Sequence, residues 1–369
     1  MQKVPVKLGE RSYDIVVECG CLARVGSFVR DFFGSSCKVG VVTSETVSEL
    51  YLDTVVESLA DVGCKVTSIV IPDGEEHKTL TTYEHIMTKL IEARFERTSV
   101  ILPLGGGVVG DTAGFVAATF LRGIQFIHVP TTIVAQVDSS IGGKVAVNHP
   151  LGKNLIGSIY QPRGVWIDPR VLSTLEQREV VSGMAEAVKH AVIRDEKFFT
   201  FLEESLEPIM TSTASDDTME TFITWNCRIK ADVVSADEHE TGLRAILNYG
   251  HTVGHALETV TNYNHFKHGE AVMLGMISSG RIAVQKGLMT ESDFNRQNRL
   301  LARVGLTWDV NNLGAGDILK AMARDKKVLS GKIRFVLPDR IGSVRIYSDV
   351  TEDEMRDGIE YMLSWVSKK

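Results

Sequence analysis

Four short apolar runs recur between residues 37 and 130: CKVGVVT (37–43), KVTSIVI (65–71), SVILPL (99–104) and QFIHVP (125–130). Helical patterns lie between them, over about 45–62 with Ser44 placed as an N-cap, over about 81–94, and in GFVAATFLR. A chain that returns to a strand after each helix builds parallel strands, because a tight turn can join only antiparallel ones. The alternation predicts a parallel, doubly wound α/β sheet. A β-rich entry precedes it, where Tyr13, Ile15 and Val17 alternate before a helix at GSFVRDFF, and VWIDP (165–169) closes it.

The third run leads into Gly105-Gly106-Gly107-Val108-Val109-Gly110-Asp111. Gly105, Gly107 and Gly110 satisfy G-x-G-x-x-G between a strand and a helix, where backbone N–H groups can hold a pyrophosphate. A Rossmann unit has its ribose-binding acid about 20 residues on; here the next acid is Asp138. Two readings stay open: a dinucleotide site of a non-standard kind, or a tight turn with no ligand. Beyond the fourth run come Thr131-Thr132, then Gln136 to Lys144, Asn148 and Gly152-Lys153-Asn154. These read as a polar loop at the carboxyl ends of the strands, where open α/β sheets place ligands. Its glycines favour a phosphate cradle over a solvated loop.

From Thr174 the pattern turns helical. VVSGMAEAVKHAVIRD (180–195) has Met184, Val188 and Val192 at helical spacing, interrupted by Glu186, Lys189 and His190. A helix over about 219–237 carries Arg228, Lys230 and Asp232. LRAILNYGHTVGHALETVTNYNHFKHGE (243–270) then holds His251, His255, His265 and His268. Long helices, a small hairpin at KIRFVLP and SVRIYS, and a terminal helix complete the chain. With 369 residues, two domains are expected, 1–175 and 176–369.

A divalent ion needs three or four nitrogen and oxygen ligands. Spacing alone favours His251 with His255, one helical turn apart, plus a carboxylate. The segment lacks the glutamate base of the zincin motif. Arg122, Lys144, Lys153, Lys189, Lys230, Arg244 and Lys327 recur in these regions. Exposed lysines and arginines are ordinarily solvated surface; gathered together they suit a phosphate and a carboxylate on one small substrate.

The net charge of −7 argues against nucleic acid or an anionic membrane as partner. No apolar run reaches the roughly 18 residues of a membrane span, and the N-terminus has no signal-peptide core. Cys19, Cys21, Cys37, Cys64 and Cys227 form an odd set with no zinc spacing, so reduced thiols and a cytoplasmic protein are expected.

GGGVVGDTAGFVAATFLRG, PTTIVAQVDSSIGGKVAVNHPLGKNLIG, SGMAEAVKHAVI, LNYGHTVGHALE, HGEAVMLGM and DKKVLSGKIRFVLP together closely resemble the 3-dehydroquinate synthase family, in order and across nearly the whole chain. None of these segments departs from the family's motifs. The resemblance implies an N-terminal Rossmann-like NAD-binding α/β domain and a mainly α-helical C-terminal domain, with the active site in the cleft between them. It implies conversion of 3-deoxy-D-arabino-heptulosonate 7-phosphate to 3-dehydroquinate and phosphate, using catalytic NAD and one zinc or cobalt ion, in a homodimer. Carried over by motif, the metal ligands are Glu186, His251 and His268, while His255 is turned toward substrate and proton transfer. NAD falls on Asp73, Gly74, Glu75, Glu76, His77 and Lys78, on Gly107, Val108, Val109, Gly110 and Asp111, and on Thr131 and Thr132. Asp138, Lys144 and Lys153 border it. The substrate set is Arg122, Lys144, Lys153, Asn154, Lys189, Lys230, Arg244, Asn248 and a lysine of the DKK run, Lys327 before Lys326. Lys144, Lys189, Lys230, His255, Asp138 and Asn154 carry the catalytic roles. The alternatives are another sugar-phosphate cyclase of the 2-deoxy-scyllo-inosose synthase type, whose substrate lacks the carboxylate, a metal-dependent glycerol or alcohol dehydrogenase, and a non-enzymatic NAD-sensing module.

Overall fold

The computed structural model describes residues 1–305, 310, 312–325 and 333–367. Lys326 and Lys327 lie outside the described residues. The chain forms two compact units, one of residues Met1–Leu175 with Ser215–His239 and one of Glu176–Ala214 with Glu240–Lys369.

The first unit opens with β1 (Gln2–Val6), β2 (Tyr13–Val17) and α1 (Val25–Phe33). It continues through β3 (Lys38–Ser44), α2 (Glu45–Val47), α3 (Asp53–Asp61), β4 (Lys65–Ile71) and α4 (Leu80–Glu92). Then come β5 (Val100–Gly105), α5 (Gly107–Thr119), β6 (Gln125–Pro130), β7 (Lys144–His149), β8 (Gly152–Ile159) and β9 (Gly164–Ile167). Seven strands form one sheet in the order β1-β2-β9-β6-β5-β3-β4. Only β1 runs antiparallel to its neighbour. Successive strand residues face opposite sides, so Val41 enters one core with Val29 and Leu59, and Val42 the other with Ile86 and Val116. The strand order reverses between β3 and β5, and the loops after such strands form the ligand crevice of an open α/β sheet.

Two local expectations change. Residues 144–154, read as a polar loop, belong to an antiparallel hairpin pairing Lys144 with Ile159 and Val147 with Ile156. Val145, Ala146 and Val147 are buried in β7, but β8 is exposed or half-exposed throughout, so its sequence looks like a loop. Ser44 occupies the N-cap position of α2 without a side-chain capping bond. Instead the Asp73 carboxylate accepts from Thr46 N at 2.9 Å and Thr46 Oγ1 at 2.8 Å.

The second unit begins with α6 (Gln177–Arg194) and α7 (Glu196–Met210). The chain then returns to the first unit as α8 (Asp216–Ala236). Back in the second unit, a 3-10 turn at Leu243–Asn248 leads to α9 (His251–Val260), α10 (His268–Gln285), α11 (Glu291–Gly305) and α12 (Ala315–Asp325). The hairpin β10 (Phe335–Arg340)–β11 (Ser343–Tyr347) and α13 (Glu352–Ser367) follow. Helix α10 is the centre, packed by α6, α9 and α13. Its close approach to α9 depends on glycine: a Cβ on Gly275 would stand 1.8 Å from Gly250 O, and Gly250 itself has φ +80°. Among the described residues no helix is long and apolar enough to cross a membrane.

Candidate functional site

Within the second unit, three helices each contribute one group to a common point. Glu186 lies midway along α6 and is buried, while His251 and His268 are the first residues of α9 and α10. Glu186 Oε1 is buried with no hydrogen-bond partner. It stands 3.8 Å from His251 Nε2 and 3.8 Å from His268 Nε2. Its other oxygen, Oε2, accepts a hydrogen bond from Lys189 Nζ. A bare buried carboxylate oxygen opposite two ring nitrogens is a donor set for a divalent cation.

The opposite ring nitrogens are also fixed. His251 Nδ1 lies 3.1 Å from Tyr249 O and His268 Nδ1 3.3 Å from a Glu258 oxygen. Burial, then the charge of Lys189, pushes the His251 ring well below the usual histidine range, leaving it neutral. Burial also acts on His268, but the Glu258 carboxylate outweighs it and raises that ring. The exposed His255 joins the group, its ring centroid 5.3 Å from His251 and 5.8 Å from His268. The donor atoms of these three histidines lie within 4.8 Å of one another. His265 stays outside that group, exposed and packed edge-on against Phe266 at 4.5 Å.

Sequence reasoning did not single out what holds His268 in place. Arg178 on α6 bonds both Glu270 oxygens, at 2.7 and 2.8 Å, and donates to His265 O at 2.6 Å. Glu270 also accepts from Lys267 N at 2.7 Å, tying down the start of α10 two residues from His268. A glutamate three residues into a helix was the available signal. In the same unit, Arg244 is only 2 % exposed, and Asn248 Nδ2 donates to Glu240 at 2.8 Å.

In the first unit, the glycine-rich turn joins β5 to α5. Gly105, Gly106, Gly107 and Gly110 are all absent from the positive-φ region, so at Gly105, Gly106 and Gly110 space rather than backbone freedom selects glycine. A Cβ would reach 2.7 Å from Val109 at Gly105, and 3.1 Å from Thr132 and His128 at Gly106 and Gly110. At Gly107 the nearest atom would be Ser139 Oγ at 3.4 Å. No side chain caps this helix start, which leaves its first N–H groups for an anion. Beside it Thr131 Oγ1 is buried without a partner, and Thr132 Oγ1 accepts from Ala135 N at 3.1 Å. These features fit a dinucleotide.

Next to that turn, Lys78 is buried and donates to Asp111 Oδ2 at 2.5 Å and to Asn154 Oδ1 at 2.6 Å. Burial works against the ammonium, but the Asp111 and Glu75 carboxylates outweigh it and hold Lys78 above the usual lysine range. Asn154 has φ +57°, and its N–H donates to Asn148 Oδ1 at 2.8 Å; Asn148 Nδ2 in turn donates to Glu75 at 2.8 Å. Gly74 has φ +109°, with Glu76 exposed and His77 half-buried after it. Lys230, on α8, donates to Asp138 Oδ1 and to Asp138 O at 2.6 Å each. Lys144 and Arg122 are exposed, Arg122 at φ +70°, and Lys153 is half-buried. Asn148 belongs to the same stretch as Asn154, but only the fold shows that it links Glu75 to that residue.

Two family models match the chain, 3-dehydroquinate synthase N-terminal over residues 68–182 and 3-dehydroquinate synthase C-terminal over residues 183–328. A 3-dehydroquinate synthase from Picosynechococcus is 48 % identical over 353 residues, covering 95 % of this chain and 96 % of that one. Among solved structures, 2-epi-5-epi-valiolone synthase from Streptomyces hygroscopicus, with NAD+ and Zn2+ bound, is 26 % identical with a TM-score of 0.89. The match covers 97 % of this chain and 98 % of that one. A 2-deoxy-scyllo-inosose synthase complexed with carbaglucose-6-phosphate, NAD+ and Co2+ is 29 % identical with a TM-score of 0.86, covering 97 % and 99 %. With both its halves matched and relatives aligned nearly end to end, the chain belongs to the 3-dehydroquinate synthase family.

Proposed function

We propose that the chain converts 3-deoxy-D-arabino-heptulosonate 7-phosphate to 3-dehydroquinate and phosphate, with catalytic NAD and one zinc or cobalt ion, as a homodimer. The family membership supports the reaction. The single observation that carries the metal part is Glu186 Oε1, buried without a partner and facing two histidine Nε2 atoms. Glu186, His251 and His268 would hold the ion, which supplies a Lewis acid for the substrate's oxygens. The glycine-rich turn, Asp73–Lys78 and Thr131–Thr132 would hold NAD, which would supply a hydride acceptor without net consumption.

The remaining work falls to the chain's own groups. Lys189, buried beside Glu186, supplies a fixed positive charge that offsets negative charge developing on the substrate. Lys230 is aimed by Asp138, and Lys78 by Asp111, so both ammonium groups are oriented before substrate arrives. Arg122, Lys144, Lys153, Asn154, Arg244 and Asn248 are the donors for the phosphate and carboxylate, with Lys327 from the DKK run. His255 is exposed next to the half-buried rings of His251 and His268 and takes or gives a proton at a ring nitrogen.

Phosphate release and NADH absorbance, followed together on the purified protein with and without a chelator, test this reading. The expected result is phosphate in large excess over added NAD, no lasting NADH, loss of activity on chelation and recovery with zinc or cobalt. Release from glucose 6-phosphate alone would assign another cyclase. NADH accumulating one for one with substrate would assign a dehydrogenase.

A further inference from the structure

The geometry points to Glu258 as the positioning residue that presents His268 Nε2 to the metal. The inference rests on the metal reading above and adds a residue to it.

Glu258 is on α9, seven positions after His251, so two helical turns bring it back to the same face. Its side chain is buried, and Oε2 lies 3.3 Å from His268 Nδ1. A carboxylate can only accept, so this contact requires a proton on Nδ1. In the neutral ring the lone pair then sits on Nε2. Nε2 is the atom that faces Glu186 Oε1 at 3.8 Å. His251 is arranged the same way by a different acceptor: Tyr249 O lies 3.1 Å from Nδ1, while Nε2 faces the same Glu186 oxygen. Both imidazoles are therefore held by an oxygen behind and pointed at one carboxylate in front. The backbone carbonyl behind His251 cannot be changed by substitution, but Glu258 can. A carboxylate behind a ligating histidine fixes the ring's tautomer and orientation and makes its free nitrogen a stronger donor, and losing it typically weakens metal binding about 10- to 100-fold.

The test measures zinc affinity by competition with a chromophoric chelator, and the visible spectrum of the cobalt-loaded protein, for wild type, Glu258→Gln, Glu258→Leu and His268→Ala. Unfolding midpoints are recorded for each. The expected result is a zinc dissociation constant about 10-fold or more higher in Glu258→Leu, a smaller rise in Glu258→Gln, whose amide oxygen can still accept, and a changed cobalt spectrum in both. Unchanged affinity and spectrum in both Glu258 variants, with His268→Ala still losing zinc, would overturn the role of Glu258 and leave the metal centre standing. A wild type that binds no zinc would overturn both. Should the variants fail to fold, nitrogen-15 NMR of histidine-labelled, zinc-loaded wild type decides: the inference expects a proton on His268 Nδ1 and zinc on Nε2, and the reverse assignment defeats it.

Discussion

Glu186 uses its two oxygens differently. Oε2 accepts from the buried Lys189 ammonium, and Oε1 is buried without a hydrogen-bond partner. Glu186→Gln takes the carboxylate away from the buried Lys189, and breaking a buried ion pair typically costs about 3–5 kcal/mol; zinc binding is expected to weaken by more than about 100-fold, beyond the usual effect of an outer partner. The pair Glu186→Gln/Lys189→Met removes both charges, so urea unfolding is expected to recover most of the stability while calorimetry still finds no tight zinc. A second residue-scale expectation concerns His128, buried on β6 with its ring edge-on to Phe126 at 5.0 Å. Burial pushes it from 6.5 down to about 3, so the folded chain keeps it neutral. Below pH 6.5 the unfolded chain takes up a proton that the folded one refuses, and stability falls by up to about 1.4 kcal/mol per pH unit until about pH 3. Urea unfolding of His128→Asn should lose this slope of one proton relative to wild type between pH 6.5 and 5. Neither role is legible in the sequence: nothing in AEAVKHAV or QFIHVP says which partner each side chain meets.

At the scale of elements, the alternating apolar runs specify β3, β4, β5 and β6 and their parallel pairing, because each strand is bounded by a helix that covers one face. The β7–β8 hairpin was hidden because β8 buries little and its two glycines and Asn154 mimic a loop. The histidine spacing was legible as helix α9, yet the common point also needs α6 and α10, and no local periodicity reports a contact between helices. That contact depends on small residues. A Cβ at Gly275 meets the backbone of Gly250 at 1.8 Å, which no rotamer can relieve. Gly275→Ala is expected to push α9 from α10, costing about 3 kcal/mol, the upper end for an overpacked contact, and lowering zinc affinity with it. Gly287, with open space around its Cβ position but φ +69°, serves as the control: its alanine variant strains only the local turn and should leave zinc affinity unchanged. Equal zinc affinity in Gly275→Ala and wild type would show that the crossing does not set the histidine positions.

Across the whole molecule, sequence order suggested a division at 175/176, and the helix expected over about 219–237 fell in the second part. The structure returns Ser215–His239 to the first unit. The reason lies in its partners. Lys230 is held by Asp138, Cys227 Sγ contacts Gln136 O at 3.4 Å, Glu220 accepts from Cys19 N at 2.9 Å, and Ser235 Oγ accepts from Lys7 N at 2.9 Å. Each links α8 to a residue more than 90 positions earlier, beyond the reach of any pattern-based boundary. Helix type was legible; membership was not. The chain therefore passes between the units three times, and a cut at 175 removes a packed helix rather than a neighbour. Fragment 1–175 is expected to lack cooperative unfolding, because its loss uncovers the surface of β1 and the turn at Ala135–Ser139 that α8 covers. Burying a single large apolar side chain contributes about 1.5–3 kcal/mol, and α8 buries several, including Phe222, Ile223, Val233 and Val234; the deficit therefore reaches the whole stability of an ordinary domain. The same fragment joined to 215–239 by a flexible linker should recover a single unfolding transition by circular dichroism and slow amide exchange in β3 and β5. If fragment 1–175 alone unfolds as cooperatively as the linked form, α8 contributes helix but not fold, and the simple division at 175 suffices.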